Sequence, residues 1–339
     1  MRNKIPQLRL LVTDKCTFSC RWCHRGGEGG GLGYTKASHE LTIEQIKNLV
    51  LLLVGEGISH IKISGGEPLI RNDLIEIIKE IKLINGVKSI ELVTCSSMLK
   101  EQSDSLCDAG LDGLTVSIDT LDKEKIKKYK GNNQEDYLER LIDGIRMTRK
   151  KGVSVKINTI PQRNFNEDEI IKIVEFTGEK GLSLKLIDLM TMNVNWWMER
   201  YMPLSEVEKI LQPIIVKQMG PTFQPGGTGT PMKCYLLKNG VKLFMRDATA
   251  GTHYGKTCET CKNFPCQDGL MALRLTCDGK LKFCLYRDDN LVDLLSLVEK
   301  NTNEAKKAIQ EAINLFRHSQ FKKAWTPEIE RQRISQREV

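Results

Sequence analysis

The sequence lacks any run of about 18 uncharged apolar residues, and no signal-peptide stretch precedes the first strand pattern. We therefore expect a cytoplasmic protein with no membrane partner. Aromatic residues are scarce at 6%, but a hydrophobic fraction of 40% in 339 residues is enough for a packed core. The composition excludes a disordered chain and predicts a globular one.

The chain also lacks a block of charge of one sign. Lys and Arg number 51 against 43 Asp and Glu, which gives a formal net charge of +8. The basic residues are scattered among acidic ones, so we expect no nucleic-acid partner. The surplus suits an anionic small molecule such as a nucleotide, but an ordinary lysine-rich surface is its commoner cause.

Short β-rich runs alternate with amphipathic stretches over the first 190 or so residues, a pattern typical of βα units that build a parallel sheet. This predicts an α/β fold, a partial (β/α)6 parallel barrel over residues 1–200, with its chemistry at the carboxyl ends of the strands. Residues 201–339 are predicted to form a cysteine-rich C-terminal extension with a hairpin at Asn239-Gly240. The six predicted strands are Gln7–Thr13, His60–Ser64, Ser89–Thr94, Gly113–Ile118, Val153–Thr159 and Leu182–Leu189.

Eleven cysteines are the most informative part of the composition, because a cytosolic chain keeps its thiols reduced and has little use for disulfides. Cys16, Cys20 and Cys23 form a CxxxCxxC pattern directly after the first predicted strand. Three thiolates on one loop can bind three irons of a 4Fe-4S cluster and leave the fourth iron open to an exogenous ligand. A zinc site completed by His24 is the alternative.

The cysteine pattern with Trp22 in its aromatic position, together with Gly65-Gly66-Glu67-Pro68 after the second strand, resembles the radical S-adenosylmethionine enzymes. On its own, the second motif is more typical of an ordinary turn into a helix. The resemblance implies that S-adenosylmethionine binds a cluster on Cys16, Cys20 and Cys23 and yields a 5′-deoxyadenosyl radical that abstracts hydrogen from a substrate. It also implies a set of residues that contact S-adenosylmethionine: Trp22, Gly65, Gly66, Glu67, Pro68, Thr94, Ser117 and Asp119.

Longer stretches, such as those at residues 8–16, 65–74, 109–121 and 155–159, resemble one branch of that family, the GTP 3′,8-cyclases. These lyases open molybdenum cofactor biosynthesis, so the resemblance implies a purine nucleotide as substrate and a flavodoxin or ferredoxin as electron donor. Cationic side chains at strand ends are what a polyphosphate requires. The corresponding substrate-pocket residues are Lys15, Arg71, Lys156, Lys185 and Arg274.

A second group of cysteines resembles the auxiliary 4Fe-4S site of this branch, which has three ligands and an open iron. Here an insertion brings in a further cysteine, so that Cys258, Cys261, Cys266 and Cys284 together could bind all four irons and close the cluster to substrate. Cys277 is an alternative fourth ligand. A structural zinc knuckle on the same four thiolates is the other interpretation.

Three features depart from the cyclase pattern: Ala272 replaces an arginine, Cys95-Ser96 replaces Asn-Gly, and Arg337-Glu338-Val339 stands in place of a Gly-Gly tail. They favour an alternative, a cyclase paralogue that modifies a peptide or a nucleoside or sugar intermediate of secondary metabolism. A metal-stabilised binding module without catalysis is a third hypothesis, but it leaves the strand-end residues without a function.

Overall fold

The computed structural model describes residues 4–23, 37 and 39–336. Within these ranges the strands are β1 (Leu8–Leu11), β2 (His60–Ser64), β3 (Ser89–Thr94), β4 (Gly113–Ser117), β5 (Ser154–Thr159), β6 (Ser183–Ile187), β7 (Ile215–Thr222), β8 (Met232–Leu237), β9 (Lys242–Arg246), β10 (Thr252–Tyr254), β11 (Leu273–Leu275), β12 (Lys280–Lys282), β13 (Val292–Asp293) and β14 (Gln320–Lys322). The α-helices in the same ranges are α1 (Ile43–Gly55), α2 (Leu74–Lys82), α3 (Leu99–Asp108), α4 (Lys123–Lys125), α5 (Tyr137–Lys150), α6 (Ile170–Glu179), α7 (Val194–Arg200), α8 (Leu204–Leu211), α9 (Leu294–Lys300), α10 (Thr302–Arg317) and α11 (Pro327–Ser335). None of the described helices combines the length and the apolar character needed to cross a bilayer.

Strands β1 to β6 are parallel and adjacent in chain order, and helices connect each one to the next. The predicted partial (β/α)6 barrel is therefore confirmed, and β2 and β3 have the predicted bounds. Each of the remaining four strands is one to three residues shorter than predicted. The difference lies at the strand ends, where backbone pairing stops before the apolar run does.

The C-terminal region adds a parallel strand to each edge of this barrel. β9 pairs with β6, and β11 pairs with β1. The order of the described strands in the sheet is β13-β12-β11-β1-β2-β3-β4-β5-β6-β9-β8-β7, in which β9 and β11 do not meet, so the barrel is open. The sheet thus continues past residue 200. The predicted boundary between a barrel domain and a C-terminal extension at this residue stays a prediction.

The two faces of each central strand differ in polarity. In β2, Ile61 and Ile63 are fully buried among the helices, whereas Lys62 lies on the lumen face. In β5, Ile157 is fully buried, whereas Lys156 is half-buried. This period-two alternation gives the barrel an apolar outer layer and a polar lumen.

Arg71 joins three segments behind the carboxyl end of the barrel. Its buried guanidinium donates to the carbonyl oxygens of Val12 and Leu41, each at 2.6 Å, and to the carboxylate of Asp73 at 2.6 and 3.1 Å. Hydrogen bonds to charged groups are stronger than neutral ones, and both carbonyl groups would lose a partner without it. Arg71 therefore stabilises the segment that follows β1.

The substitution Arg71→Gln is expected to lower the free energy of unfolding by about 3 kcal/mol, because it removes several buried, charge-assisted hydrogen bonds. Anaerobic urea unfolding of the full chain measures this. Arg163→Gln is the matched control: it removes an ion pair with Glu206 at 2.6 Å in which both side chains are about 40% exposed, and it should cost less than about 1 kcal/mol. Equal unfolding energies for the two variants would contradict this role.

Candidate active site at the carboxyl end and lumen of the barrel

The three-cysteine loop follows β1 at the carboxyl end of the parallel strands. Cys16 and Cys23 are exposed, Cys20 is half-buried, and all three are free thiols. The amide of Phe18 donates to the Cys16 sulfur at 3.4 Å, and the amide of Cys23 donates to the Cys20 carbonyl at 3.0 Å. A short hydrogen-bonded loop thus holds three thiols where barrel enzymes carry their chemistry.

This donor set fits a three-ligand iron-sulfur cluster. Burial raises the pKa of Cys20 to about 11 and also raises that of Cys16, and the Lys130 ammonium group opposes both shifts. Metal binding requires thiolates, so a nearby cation favours the ligand form. Among the described residues, no three His, Cys, Asp or Glu side chains converge on a single ion, whereas a cubane distributes its thiolates over separate irons. His24, which the zinc alternative needs, lies outside the described residues.

Trp22 anchors this loop to the body of the protein. Its ring centroid lies 5.1 Å from that of Phe165 and 6.3 Å from that of Trp196, and the side chain is buried. These rings belong to a small second core that also contains Trp197 and Trp325. The aromatic position therefore has a packing role, and its contact with S-adenosylmethionine stays a prediction.

The glycines of the second motif lie directly against the backbone that leads to Cys16. The amide of Gly66 donates to the Thr13 carbonyl at 2.8 Å, and the amide of Glu67 donates to the Lys15 carbonyl at 2.9 Å. A Cβ on Gly66 would lie 2.0 Å from the Lys15 oxygen, and one on Gly65, which has φ +151°, would lie 2.3 Å from the Thr13 oxygen. Only residues without a side chain permit this approach.

The Glu67 carboxylate is buried and held by donors from three residues. It accepts hydrogen bonds from the Leu69 amide at 3.1 Å, the Thr94 hydroxyl at 2.6 Å and the Cys95 amide at 2.9 Å. Burial raises the pKa of Glu67 despite these hydrogen bonds. Pro68 begins the short 3-10 helix that the motif enters. Thr94 therefore positions Glu67, whose Oε1 already accepts two hydrogen bonds and whose Oε2 accepts the amide and, at 3.5 Å, the thiol of Cys95.

Ser117 and Asp119, at the end of β4, share a buried cation. The Lys130 ammonium lies 3.4 Å from the Ser117 carbonyl oxygen and 3.7 Å from the Asp119 carboxylate. Burial raises the pKa of Asp119, and Lys130 opposes the shift. Burial alone would lower the pKa of Lys130, but the acidic groups around it have the larger effect. The pKa of Lys130 is therefore raised well above its usual value. Asp119 also raises the pKa of Cys20, so the β4 end faces the cysteine loop.

The lumen carries a layer of cations with one carboxylate. Lys62 donates to Glu91 at 3.1 Å and to the Thr115 hydroxyl at 3.2 Å. Lys156, opposite Thr115 in the parallel register, has its ammonium 5.3 Å from the centre of the Phe244 ring. On the next strand, β6, Lys185 is the register partner of Asn158, two residues after Lys156.

Lys185 shows how concentrated this charge is. Its pKa is lowered well below the usual value, first by burial and then by the positive charges of Lys62, Arg246, Arg9 and Lys156. A group of cations that destabilise one another's charges favours binding of an anion. Lys156 and Lys185 were predicted from the sequence as substrate-pocket residues, whereas Arg9, Lys62 and Arg246 were not. Their polar side chains at lumen-facing positions of apolar strands were the available signal.

The other two predicted substrate residues near the cysteine loop lie outside this lumen layer. Lys15 is exposed and pairs with Glu40 at 3.3 Å. The donors of Arg71 are directed at Val12, Leu41 and Asp73. The structure therefore does not bring Lys15 and Arg71 together with Lys156 and Lys185, because their side chains extend behind the loop after β1.

The second group of cysteines gathers around one carboxylate. The amide of Cys261 donates to the Cys258 carbonyl at 3.2 Å, so these two thiols lie one turn apart. Burial raises the pKa of Cys266 well above its usual value, and the charge of Cys284 raises it as well. The buried Asp268 carboxylate raises the pKa of Cys258, Cys266 and Cys284 alike. The four predicted auxiliary cysteines thus share one neighbourhood.

Arg274 connects this neighbourhood to the barrel wall. Its fully buried guanidinium lies 3.4 Å from Asp268, and it lowers the pKa of Cys284. On the strand side, Arg274 is the register partner of Arg9. Arg246, which belongs to the lumen cations, also lies 3.8 Å from Asp268. The second cysteine group therefore adjoins the lumen.

Cys277 lies elsewhere, in the turn between β11 and β12. Its carbonyl accepts the Leu41 amide at 2.8 Å, and after burial the charges that raise its pKa are those of Asp14, Asp278 and Glu40. This location favours Cys266 over Cys277 as the fourth auxiliary ligand. The tail residues 337–339 lie outside the described residues.

Comparison with known proteins agrees with this geometry. The radical SAM superfamily model matches residues 10–177. A probable GTP 3′,8-cyclase of Methanothermobacter marburgensis is 34% identical over 86% of this chain and 88% of that protein. Molybdenum cofactor biosynthesis protein 1 of Drosophila melanogaster is 33% identical over 82% of this chain and 46% of that protein.

Among solved structures, Streptococcus suis SuiB bound to S-adenosylmethionine superposes with a TM-score of 0.60 at 13% identity, covering 91% of this chain and 68% of that chain. At this identity the likeness establishes a shared fold. The sequence relatives show that the chain belongs to the radical SAM superfamily, whose members use S-adenosylmethionine and a 4Fe-4S cluster, and proteins named as probable GTP 3′,8-cyclases are among them.

Proposed function

We propose that this enzyme is a GTP 3′,8-cyclase, which acts on a guanosine nucleotide in the first step of molybdenum cofactor biosynthesis. The observation that carries the proposal is the layer of lumen cations formed by Arg9, Lys62, Lys156, Lys185 and Arg246. Through Arg246, which lies 3.8 Å from Asp268, it adjoins the second cysteine group. A triphosphate bound there would face cationic donors on several strands.

The cysteine loop and the Gly65-Gly66-Glu67-Pro68 turn are the proposed site of the cluster and of S-adenosylmethionine. When bound, these two groups supply a 5′-deoxyadenosyl radical that abstracts hydrogen from the substrate. The chain itself orients the ligands: Glu67, Ser117 and Asp119 present polar oxygens at the strand ends. The lumen walls position the substrate and limit access of water.

The second cysteine group is the proposed auxiliary 4Fe-4S site. Three of its thiols, those of Cys258, Cys266 and Cys284, lie near Asp268 beside Arg274, and Cys261 lies one turn from Cys258. Four cysteine ligands would leave no iron open to substrate, which differs from the three-ligand pattern of this branch. Recognition of the base then depends on side chains of the lumen. We also propose that the enzyme acts in the cytoplasm and receives its electron from flavodoxin or ferredoxin.

Incubation with GTP carrying deuterium at C3′ tests the proposed reaction. The reconstituted enzyme with S-adenosylmethionine and a strong reductant is expected to form 5′-deoxyadenosine that carries one deuterium, detected by mass spectrometry. GTP deuterated at C2′ is the matched control and should give unlabelled product. Unlabelled 5′-deoxyadenosine from both substrates, or turnover on a peptide instead, would contradict the proposal.

The substitution Lys185→Met is expected to weaken binding of GTP about tenfold to a hundredfold, because it removes one charge-assisted contact. Because the pKa of Lys185 is lowered, binding of GTP should also depend on pH. The free ammonium loses its proton at lower pH than an ordinary lysine, and the triphosphate favours the protonated form. Binding of GTP should therefore weaken as pH rises and should take up protons, measured by calorimetry in two buffers of different ionisation enthalpy.

The exposed Lys242, at the start of β9, gives the control variant Lys242→Met. It should leave both affinity and proton uptake unchanged. Equal losses of affinity in the two variants would show that the triphosphate does not bind in the lumen, and unchanged proton uptake in Lys185→Met would show that Lys185 is not the group that takes up the proton.

Cys266→Ala and Cys277→Ala identify the fourth auxiliary ligand. We expect Cys266→Ala to lose iron from a cluster of about four irons, because one iron then lacks its thiolate, and Cys277→Ala to retain wild-type iron. Iron, zinc and sulfide are measured per chain after anaerobic gel filtration. The reverse pattern would assign the ligand to Cys277, and zinc alongside iron and sulfide for only one cluster per chain would establish the knuckle.

A further inference from the structure

A π-helix at Ile126–Lys130 supports the cysteine loop from below. π-Helical turns are rare and are frequently found at functional sites. Gly131 ends this one in the left-handed conformation at φ 70°. A Cβ on Gly131 would lie 2.1 Å from the Ser19 hydroxyl, so the turn is in direct contact with the loop.

Two backbone hydrogen bonds connect the turn to the loop between Cys16 and Cys23. The amide of Ser19 donates to the Lys130 carbonyl at 2.9 Å, and the amide of Arg21 donates to the Tyr129 carbonyl at 3.1 Å. These bonds fix the Lys130 backbone relative to the loop. The position of its side chain beneath the thiols is therefore determined by the fold.

The Lys130 side chain is 3% exposed, which is unusual for an ammonium group. Its nitrogen lies 5.7 Å from the centre of the Phe18 ring, and Phe18 lies between Cys16 and Cys20 in the loop. The carboxylate of Asp119, at 3.7 Å, is beyond hydrogen-bonding distance, and the contact with the Ser117 carbonyl is long at 3.4 Å. The ammonium group is therefore held mainly by the negative charge around it and less by short hydrogen bonds.

The groups around this cation are acidic. Tyr137 is a buried phenol and Asp119 a buried carboxyl group, and Cys16, Cys20 and Cys95 are thiols on which Lys130 acts electrostatically. Ligated thiolates and bound sulfide add negative charge at this end of the barrel, and reduction adds one more electron. Electrostatic interactions are strong in a site with little water, so one buried positive charge has a large effect there.

We propose that Lys130 is a positioning residue that raises the reduction potential of the N-terminal cluster by placing a buried positive charge beneath its cysteine loop. Net charge near an iron-sulfur cluster is one of the properties that set its potential. The inference rests on the proposed function, since it requires a cluster on Cys16, Cys20 and Cys23. The electron itself comes from an external low-potential reductant.

The test is a redox titration of the reconstituted full chain, followed by electron paramagnetic resonance. The N-terminal cluster is identified as the reduced signal that changes when S-adenosylmethionine is added. Lys130→Gln keeps a donor for the Ser117 carbonyl but removes the charge, and Lys130→Arg keeps the charge. Lys127→Gln is the matched control, because Lys127 lies on the same π-helix and is exposed.

In Lys130→Gln, we expect reduction to become at least tenfold less favourable, which is about 59 mV for one electron. Lys130→Arg should restore most of the shift, and Lys127→Gln should leave the potential unchanged. A fully loaded Lys130→Gln cluster with the wild-type potential would overturn the inference. So would a Lys127→Gln shift of the same size, which would indicate only a long-range surface effect.

If Lys130→Gln does not retain iron, Asp119→Asn decides the question. Removal of the carboxylate next to Lys130 increases the net positive charge of the pocket, so the potential should rise, and an unchanged potential overturns the inference. Failure of the proposed function has a different signature. In that case the wild-type chain itself shows no reduced signal that responds to S-adenosylmethionine.

Discussion

The close approach of two backbone segments, one after β1 and one after β2, is the constraint on which the rest of the site depends. Gly65 and Gly66 allow it, because a Cβ at either position would collide with the Thr13 or Lys15 carbonyl. Arg71 holds the same region from behind through the Val12 carbonyl. The cysteine loop continues from this fixed segment. Its position relative to Glu67 therefore follows from main-chain packing instead of from flexible side-chain contacts.

Charge is distributed along the barrel in a consistent way. The carboxyl end has buried acidic groups, Glu67 and Asp119, with Lys130 as a buried cation among them. The lumen below has clustered cations with Glu91 as a carboxylate partner. Cations that lower one another's pKa are costly in the free protein and are stabilised by an anionic ligand. This arrangement separates a region suited to an electron-accepting cofactor from one suited to a polyphosphate.

Asp268 connects the lumen with the C-terminal cysteines. It lies 3.4 Å from Arg274 and 3.8 Å from Arg246, and it accepts the Leu285 amide at 2.7 Å directly after Cys284. The auxiliary region is thus built onto the edge of the barrel through buried ion pairs and through β11, which pairs with β1. Breaking one partner of such a pair leaves an uncompensated charge. A change in the lumen would therefore reach the second cysteine group.

The sequence by itself determined the six βα units, the cysteine loop and the glycine turn, because hydrophobic periodicity and motif spacing are local properties of the chain. It also indicated Lys156 and Lys185. Only the tertiary structure decided that β9 and β11 join the barrel. Strand pairing between residues far apart in the chain, as between Arg9 and Arg274 or between Leu184 and Leu243, leaves no local pattern. It likewise assigned Arg71 to the backbone behind the loop and Lys130 to the space beneath the thiols. Where a charged side chain ends depends on what surrounds it in the folded chain, and neighbouring residues in the sequence do not specify that.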